Sequence, residues 1–410
     1  MPFSVSRRRV LAALPGALAC ALGAGIGRPL NALGAGVEPI RIGVSGPFTG
    51  GSSPMGISMR EGIRIAADLT NARGGVLGRA LELIERDDQA DNEQGARVAQ
   101  ELVQKEGIVA ALGIANTGVA LASQRHYQFA RIPMITAVAT GSLITRQFLP
   151  PEFADNYIFR VSANDKLQAQ IIVDEAVTRR GLHRLAIFHD ATNYGVLGSE
   201  DLIAALSQHG LAPLVVERFQ LRQADMGPAL QRARNVGAEA VLTYGIGPEL
   251  AQIANGLARL NWHVPIIGSW TLAMSSFIDS AGPNAEGARM PQTFIQESTN
   301  PTRAAFLAAW HKATGVQRIP VPPAAAQGYD SMLLLAQAIR QANSLEGRRI
   351  REALEDLRTP VPGVIMTYLR PYARDQHETL TNPQQIYMGE VRDGRVVFAY
   401  PQDRQRAMQS

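Results

Sequence analysis

Residues 40–88 leave this chain few folds to choose from. Ile40–Val44 (IRIGV) is a short apolar strand, and Gly46–Gly56 is a loop rich in Gly, Ser and Pro. Met59–Asn71 then places Ile63, Ile65, Ala66 and Leu69 at helical spacing, with Asn71 and Gly74–Gly75 as the stop. Leu81–Ile84 is the next strand, with Asp87–Asp88 at its carboxyl end. This is one βαβ unit, whose strands are parallel and whose helix covers one face of the sheet.

The alternation continues for another 180 residues. Helices are expected at Gln94–Glu106, Gly118–Ala130, Leu167–Arg180, Tyr194–His209, Gly227–Gly237 and Pro248–Leu260. Strands are expected at Ile108–Gly113, Ile132–Thr136, Tyr157–Val161, Leu185–His189, Val215–Phe219, Ala240–Tyr244 and Val264–Ile267. Repeats of this kind require parallel sheets with helices on both faces. A chain of 410 residues holds two such domains. The tail reads as helices Pro301–Thr314, Ala325–Ala342 and Leu345–Leu357, then a hairpin at Arg392-Asp393-Gly394.

Charge narrows the function. The formal net charge is +4, yet Arg7, Arg8, Arg9 and Arg28 lie in the first 36 residues without a single acid. The rest of the chain is balanced, so no concentrated cationic surface for nucleic acid is expected. Ser6-Arg7-Arg8-Arg9-Val10-Leu11 followed by an apolar run to Gly27 fits a twin-arginine export signal over residues 1–36. A membrane anchor is the alternative, but the run is short and Gly-rich for one. Cys20, the single cysteine, lies inside this segment. Lipid attachment there is a second alternative, disfavoured because Ala17 stands where a lipobox prefers Leu.

Enzyme signatures are absent. The Gly46–Gly56 loop has no Lys-Ser/Thr pair and no dinucleotide Gly-x-Gly-x-x-Gly spacing, and no Gly-x-Ser-x-Gly elbow occurs. The seven histidines show no metal-ligand spacing. The expectation is therefore no catalytic residue, no metal and no cofactor.

The turn Asn71-Ala-Arg-Gly-Gly-Val-x-Gly78 and the run Asp87-Asp-x-x-Asp91 resemble the start of periplasmic type I solute-binding proteins of the leucine/isoleucine/valine-binding family. The resemblance implies an α/β fold of two doubly wound parallel-sheet lobes, joined by a three-strand hinge. It assigns 37–161 and 291–365 to lobe 1, and 162–290 and 366–410 to lobe 2. It also implies a small-molecule ligand in the cleft, delivery to an inner-membrane ABC permease, a periplasmic location and a monomer.

Candidate ligand contacts follow. Asn116-Thr117-Gly118 joins a strand end to a helix start, where free backbone N–H groups receive a carboxylate; Thr117 capping its own helix is the plainer reading. By resemblance, Thr140 with Ala139 contacts the ligand's polar head, and Tyr194 closes over it from the second lobe. Tyr244 and Tyr329 complete the set. Relatives that bind amino acids carry an acid near Gly268, where this chain has Trp270. Met55 and Ala324 replace bulkier aromatics. Asp330 and Glu249, both helix-start acids, remain the candidates to pair an ammonium. The expected ligand is a small carboxylate with an apolar or aromatic body, or a branched-chain amino acid. A ligand-sensing regulator on the same lobes, or a hydrolase or oxidoreductase on an α/β scaffold, are the alternatives.

Overall fold

The computed structural model describes residues 38–409; the segment 1–36, expected to be an export signal, and Cys20 within it lie outside them. The first sheet is built from β1 (Ile40–Gly46), β2 (Leu81–Asp87), β3 (Ala110–Gly113), β4 (Met134–Thr136) and β5 (Ile158–Arg160), in the order β2-β1-β3-β4-β5. All four pairings are parallel. Its helices are α1 (Ser53–Ala72), α2 (Asn92–Lys105) and α3 (Thr117–Ala130). Packing of α2 and α3 on one face and α1 on the other buries the central strands from both sides. Strands β3 (AALG) and β4 (MIT) therefore run apolar rather than alternating, while the edge strand β2 (LELIERD) is only half buried.

The second sheet holds β6 (Leu185–Asp190), β7 (Val215–Phe219), β8 (Ala240–Tyr244), β9 (Ile266–Gly268) and β10 (Arg289–Gln292). Its helices are α4 (Asp165–Asp174), α5 (Asn193–Gln208), α6 (Gly227–Asn235), α7 (Gly247–Arg259) and α8 (Ser275–Ala281). The chain then leaves for α9 (Pro301–Thr314), α10 (Pro322–Ala342) and α11 (Gly347–Glu355), which join the apolar cluster of α1 and the first sheet. A small ladder of β11 (Val361–Pro362) and β12 (Thr367–Tyr368) follows. The chain returns as β13 (Tyr387–Arg392) and β14 (Arg395–Phe398), closing the second sheet as β14-β13-β10-β9-β8-β6-β7, before α12 (Pro401–Gln409). The backbone thus passes between the sheets three times. Asp393 (φ 51°) and Gly394 (φ 68°) form the two-residue turn of the final hairpin.

Several boundaries differ from expectation. Helix α1 begins at Ser53, inside the expected loop, with Pro54 in its first turn. Gly56 is glycine because a Cβ there would lie 2.1 Å from the Pro47 carbonyl oxygen. Helix α4 starts at Asp165 and runs into a π-helical turn at Glu175–Arg179. Strand β10 and helix α8 were not anticipated, because Arg289–Gln292 contains a proline and Ser275–Ala281 is short.

Candidate functional site

In sheets of this order, ligands meet the loops beyond the carboxyl ends of strands, where strand order reverses. The reversals fall between β1 and β3 in the first sheet and between β6 and β8 in the second. Their loops face each other. A small cavity lies between them, walled by Met55, Asn116, Thr117 and Thr140 from one side and Tyr194, Ile246 and Trp270 from the other. The two rims touch: Asn92 Nδ2 donates to Asn193 Oδ1 at 3.4 Å, and Ser142 Oγ donates to Asp201 Oδ2 at 2.5 Å. The cleft is closed.

The first-lobe wall is polar and hydrogen-bonded into place. Asn116, not Thr117, is the N-cap of α3, and its side chain makes no capping bond. Instead Asn116 Nδ2 donates to Ser52 Oγ at 3.2 Å, and the other end of the amide is buried without a partner. Thr117 Oγ1 accepts from the Gly141 amide at 3.2 Å. A Cβ on Gly141 would sit 2.3 Å from Thr117 Cγ2, so only glycine permits this approach. No acid lies in the first turn of α3, leaving the positive end of its dipole uncompensated. Ile114, at φ 59°, is a β-branched residue in the left-handed region. Its amide donates to Ser45 and its carbonyl accepts from Ala139, so the turn that aims Ala115–Thr117 is held by β1 and the β4 loop.

Thr140 is anchored from behind. The fully buried Arg160 donates from Nη1 to the carbonyls of Thr140 (3.0 Å) and Gly141 (2.7 Å), and its Nη2 pairs with Glu378. The Asp165 amide donates to the same Thr140 carbonyl at 2.8 Å. Burial lifts the Asp165 carboxyl to about 7, against the opposing hydrogen bonds of Thr140 and Tyr244.

The second-lobe wall is made of rings. Tyr194 packs on Tyr244 with ring centroids 5.1 Å apart, and Tyr244 Oη donates to Asp165 Oδ1 at 3.0 Å. Tyr194 Oη is buried close to the Ser269 and Thr271 hydroxyls, and burial pushes its phenol well above its usual range, so it stays neutral. Trp270 is 6% exposed, and its Nε1 is unpartnered. Its backbone amide is fixed by Gln168 Oε1 at 3.2 Å, and its ring joins the apolar cluster that contains Met55 and Ala324. Trp270 is therefore both a packed core residue and a wall of the cavity.

Met55, Asn116, Thr117, Thr140, Tyr194 and Trp270 come together as walls, and Gly118 sits at the rim, where a Cβ would lie 2.7 Å from Asn193 Oδ1. Three candidates do not reach the cavity. Ala139 is buried in the cluster on the α2–α3 side of the sheet. Tyr244 lies beneath Tyr194 as its support. Tyr329 packs edge-on against Phe306, 5.0 Å between centroids, on the α1–α10 side. The two candidate acids are also committed elsewhere. Both carboxyl oxygens of Asp330 accept bonds, from the Val364 and Ile365 amides and Tyr368 Oη, and Glu249 accepts from the Arg222 amide. Among the described residues, no charged side chain lines the cavity.

Ile246 and Thr271 were missed as wall residues. Ile246 sits one loop past β8 as Asn116 sits past β3, and Tyr244-Gly-Ile-Gly-Pro248 carries that strand-to-helix signal. A second, similarly small cavity shares Thr140 and Trp270 with the first and adds Gln168, Thr293, Gln327 and Ile386. None of these four stood out in the sequence, though Gln327 is the one amide in the apolar run Pro322–Gly328.

Two doubly wound lobes, three passages between them and a cavity at the facing strand ends define a two-lobed ligand-binding protein. The profile of the family described as periplasmic binding protein matches residues 39–395, and the chain belongs to that family. A Brucella melitensis protein named Leu/Ile/Val-binding protein homolog 3 is 24% identical over 318 residues, 77% of this chain and 83% of that one. A leucine-binding protein from Thermotoga maritima superposes with a TM-score of 0.77 at 24% identity, over 89% of this chain and 99% of the other. An ABC-transporter solute-binding protein from R. palustris, solved with benzoate, gives 0.76 at 18% identity, over 88% and 95%.

Proposed function

We propose that this protein is the periplasmic capture component of an ABC importer, and that its cleft takes a small carboxylate with an apolar or aromatic body. One observation carries the ligand class. The open N-terminus of α3 and six neutral hydrogen-bonding side chains border a closed cavity that no charged side chain lines. Asn116, Thr117 and Gly118 receive the carboxylate, Thr140 a second polar group, and Met55, Tyr194, Ile246 and Trp270 form the walls. An anion gains from the helix dipole and the free amides. An α-ammonium would be buried without a partner at a cost of several kcal/mol. A cation–π contact with Trp270 would return only about 1–2 kcal/mol of that.

The relatives' names support a second reading, a branched-chain amino acid. The occupied carboxylates of Asp330 and Glu249 weigh against it. In this reading the protein catalyses no reaction. Lobe 1 comprises 38–161 and 293–386, and lobe 2 comprises 162–292 and 387–409. Both return crossings fall later than the expected 290 and 365, because β10 pairs within the second sheet through Gln292, and Tyr368, Tyr372 and His377 bond to the first lobe. A monomer leaves by the twin-arginine route and hands its ligand to a membrane permease.

The test is a thermal-shift comparison of the native protein and Asn116→Ala/Thr117→Ala against a panel of aliphatic and aromatic carboxylates, since bound ligand raises stability by mass action. The double variant is expected to lose the shift that the native protein shows. An undiminished shift would remove the carboxylate from this loop.

A further inference from the structure

The second cavity has a chemistry of its own. It lies on the far side of Thr140 and Trp270 from the α3 amides, between α4, the segment after β10 and the start of α10. Three buried polar side chains line it besides Thr140: Gln168, Thr293 and Gln327 are 2%, 5% and 4% exposed. Gln168 is spent, donating to the Ala163 carbonyl at 2.9 Å and accepting from the Trp270 amide. Gln327 and Thr293 are only half spent. Gln327 Nε2 donates to Thr293 Oγ1 at 3.0 Å, which leaves Gln327 Oε1 buried without a partner. With its oxygen used as acceptor, the Thr293 hydroxyl keeps its own proton to donate. The Trp270 indole N–H, on the wall shared by both cavities, is likewise unpartnered.

Native proteins leave few buried polar atoms unsatisfied, and each one costs about 1–3 kcal/mol. Here one acceptor and two donors belong to side chains lining a space with no charged lining. A hydroxyl satisfies both kinds at once, whether on a ligand or as a buried water. The apolar remainder of the lining, Ala163, Pro291, Pro323 and Ile386, suits a compact, uncharged ring or chain end.

We infer that the second cavity is a hydroxyl-recognising subsite, in which Gln327 Oε1 accepts from a hydroxyl at the far end of the ligand and Thr293 donates to it. The ligand is then a hydroxylated carboxylic acid, with its flat body against Trp270 and its two polar ends in the two cavities. This rests on the reading of the cleft as a carboxylate site and extends it. A site built to hydrogen-bond a hydroxyl rejects the analogue that lacks it, because its own buried groups are then left unpaired.

The test is titration calorimetry with two sets of acids differing in length: benzoate, 4-hydroxybenzoate and 4-methoxybenzoate, and 3-phenylpropionate with its 4-hydroxy and 4-methoxy forms. In at least one set the hydroxy acid is expected to bind about tenfold or more tightly than both its companions. Gln327→Met is expected to erase that preference while leaving the unsubstituted acid's affinity within about threefold. Thr293→Val supplies the same comparison should Gln327→Met fail to fold. Equal binding within both sets, or a preference that survives in the variants, would overturn the subsite and leave the carboxylate site standing. No binding by any of the acids would overturn both.

Discussion

The two lobes meet the cleft with the same architecture and opposite chemistry. Each presents the loops at a strand-order reversal, and each starts a helix there. On the first lobe those loops carry an amide, hydroxyls and the uncapped α3 N-terminus, tied down through Ser52, Gly141 and Arg160. On the second, the matching positions carry Tyr194, Ile246 and Trp270, and Thr192 caps α5 with its own side chain. The difference separates two kinds of information. In the proposed reading the first lobe selects an anionic group, and the second, with the polar chamber behind Trp270, selects the rest of the molecule.

Breaking the anchors of the first wall is expected to have the largest effects. Arg160→Met removes one member of a buried ion pair, leaving the Glu378 carboxylate without its cation and the Thr140 and Gly141 carbonyls without the guanidinium. A loss of about 3–5 kcal/mol in denaturant unfolding is expected. A loss below about 1 kcal/mol would mean that the wall does not depend on this pair. Gly141→Ala forces Cβ against Thr117 Cγ2. Overpacking of this kind costs about 1–3 kcal/mol, and carboxylate affinity measured by calorimetry should fall with it. Unchanged affinity would show that Thr117 does not need its present position.

The group beneath both walls gives a pH test. Asp165 releases its proton near 3.8 when unfolded and about 7 when folded. The folded state therefore holds the proton longer, and the stability this provides is lost as pH rises towards 7. Asp165→Asn lacks that dependence. Its stability relative to the native protein should rise by about 2 kcal/mol between pH 5 and pH 8 in parallel denaturation curves. A difference that stays flat with pH would contradict the assignment. On the second wall, Tyr194→Phe deletes a hydroxyl whose polar neighbours, Ser269 and Thr271, already bond to each other. Unfolding free energy should stay within about 0.5 kcal/mol while ligand affinity falls; a large stability loss would point to a structural bond instead.

Much of the first lobe was legible because its information is local. A buried parallel strand writes a short apolar run, and the residues just past it are the ones that face the cleft. That logic found Asn116, Thr117, Thr140 and Tyr194, and it places Trp270 past β9 in the same way. It failed where a side chain's direction decides. Ala139 neighbours Thr140 yet faces the opposite core, and Tyr244 faces its sheet's own helix rather than the cleft. Tyr329 and Asp330 open no site, because α10 turns them towards α9 and towards the 363–368 segment. The start of α1 was hidden by glycines and a proline that usually mark loops. Thr293 and Gln327 are 34 residues apart and meet only through the passage between lobes, so no local pattern could join them.

The central claim is that the cavity holds a carboxylate and offers nothing to an ammonium. Calorimetry on two matched pairs measures this most directly: leucine against 4-methylpentanoate, and phenylalanine against 3-phenylpropionate. Within each pair the ligands differ only by the amino group. The acid without it is expected to bind at least about tenfold more tightly, because the amino acid must bury an unpaired charge. If the amino acids bind as tightly or more tightly, the cleft supplies a counter-charge that this account does not contain.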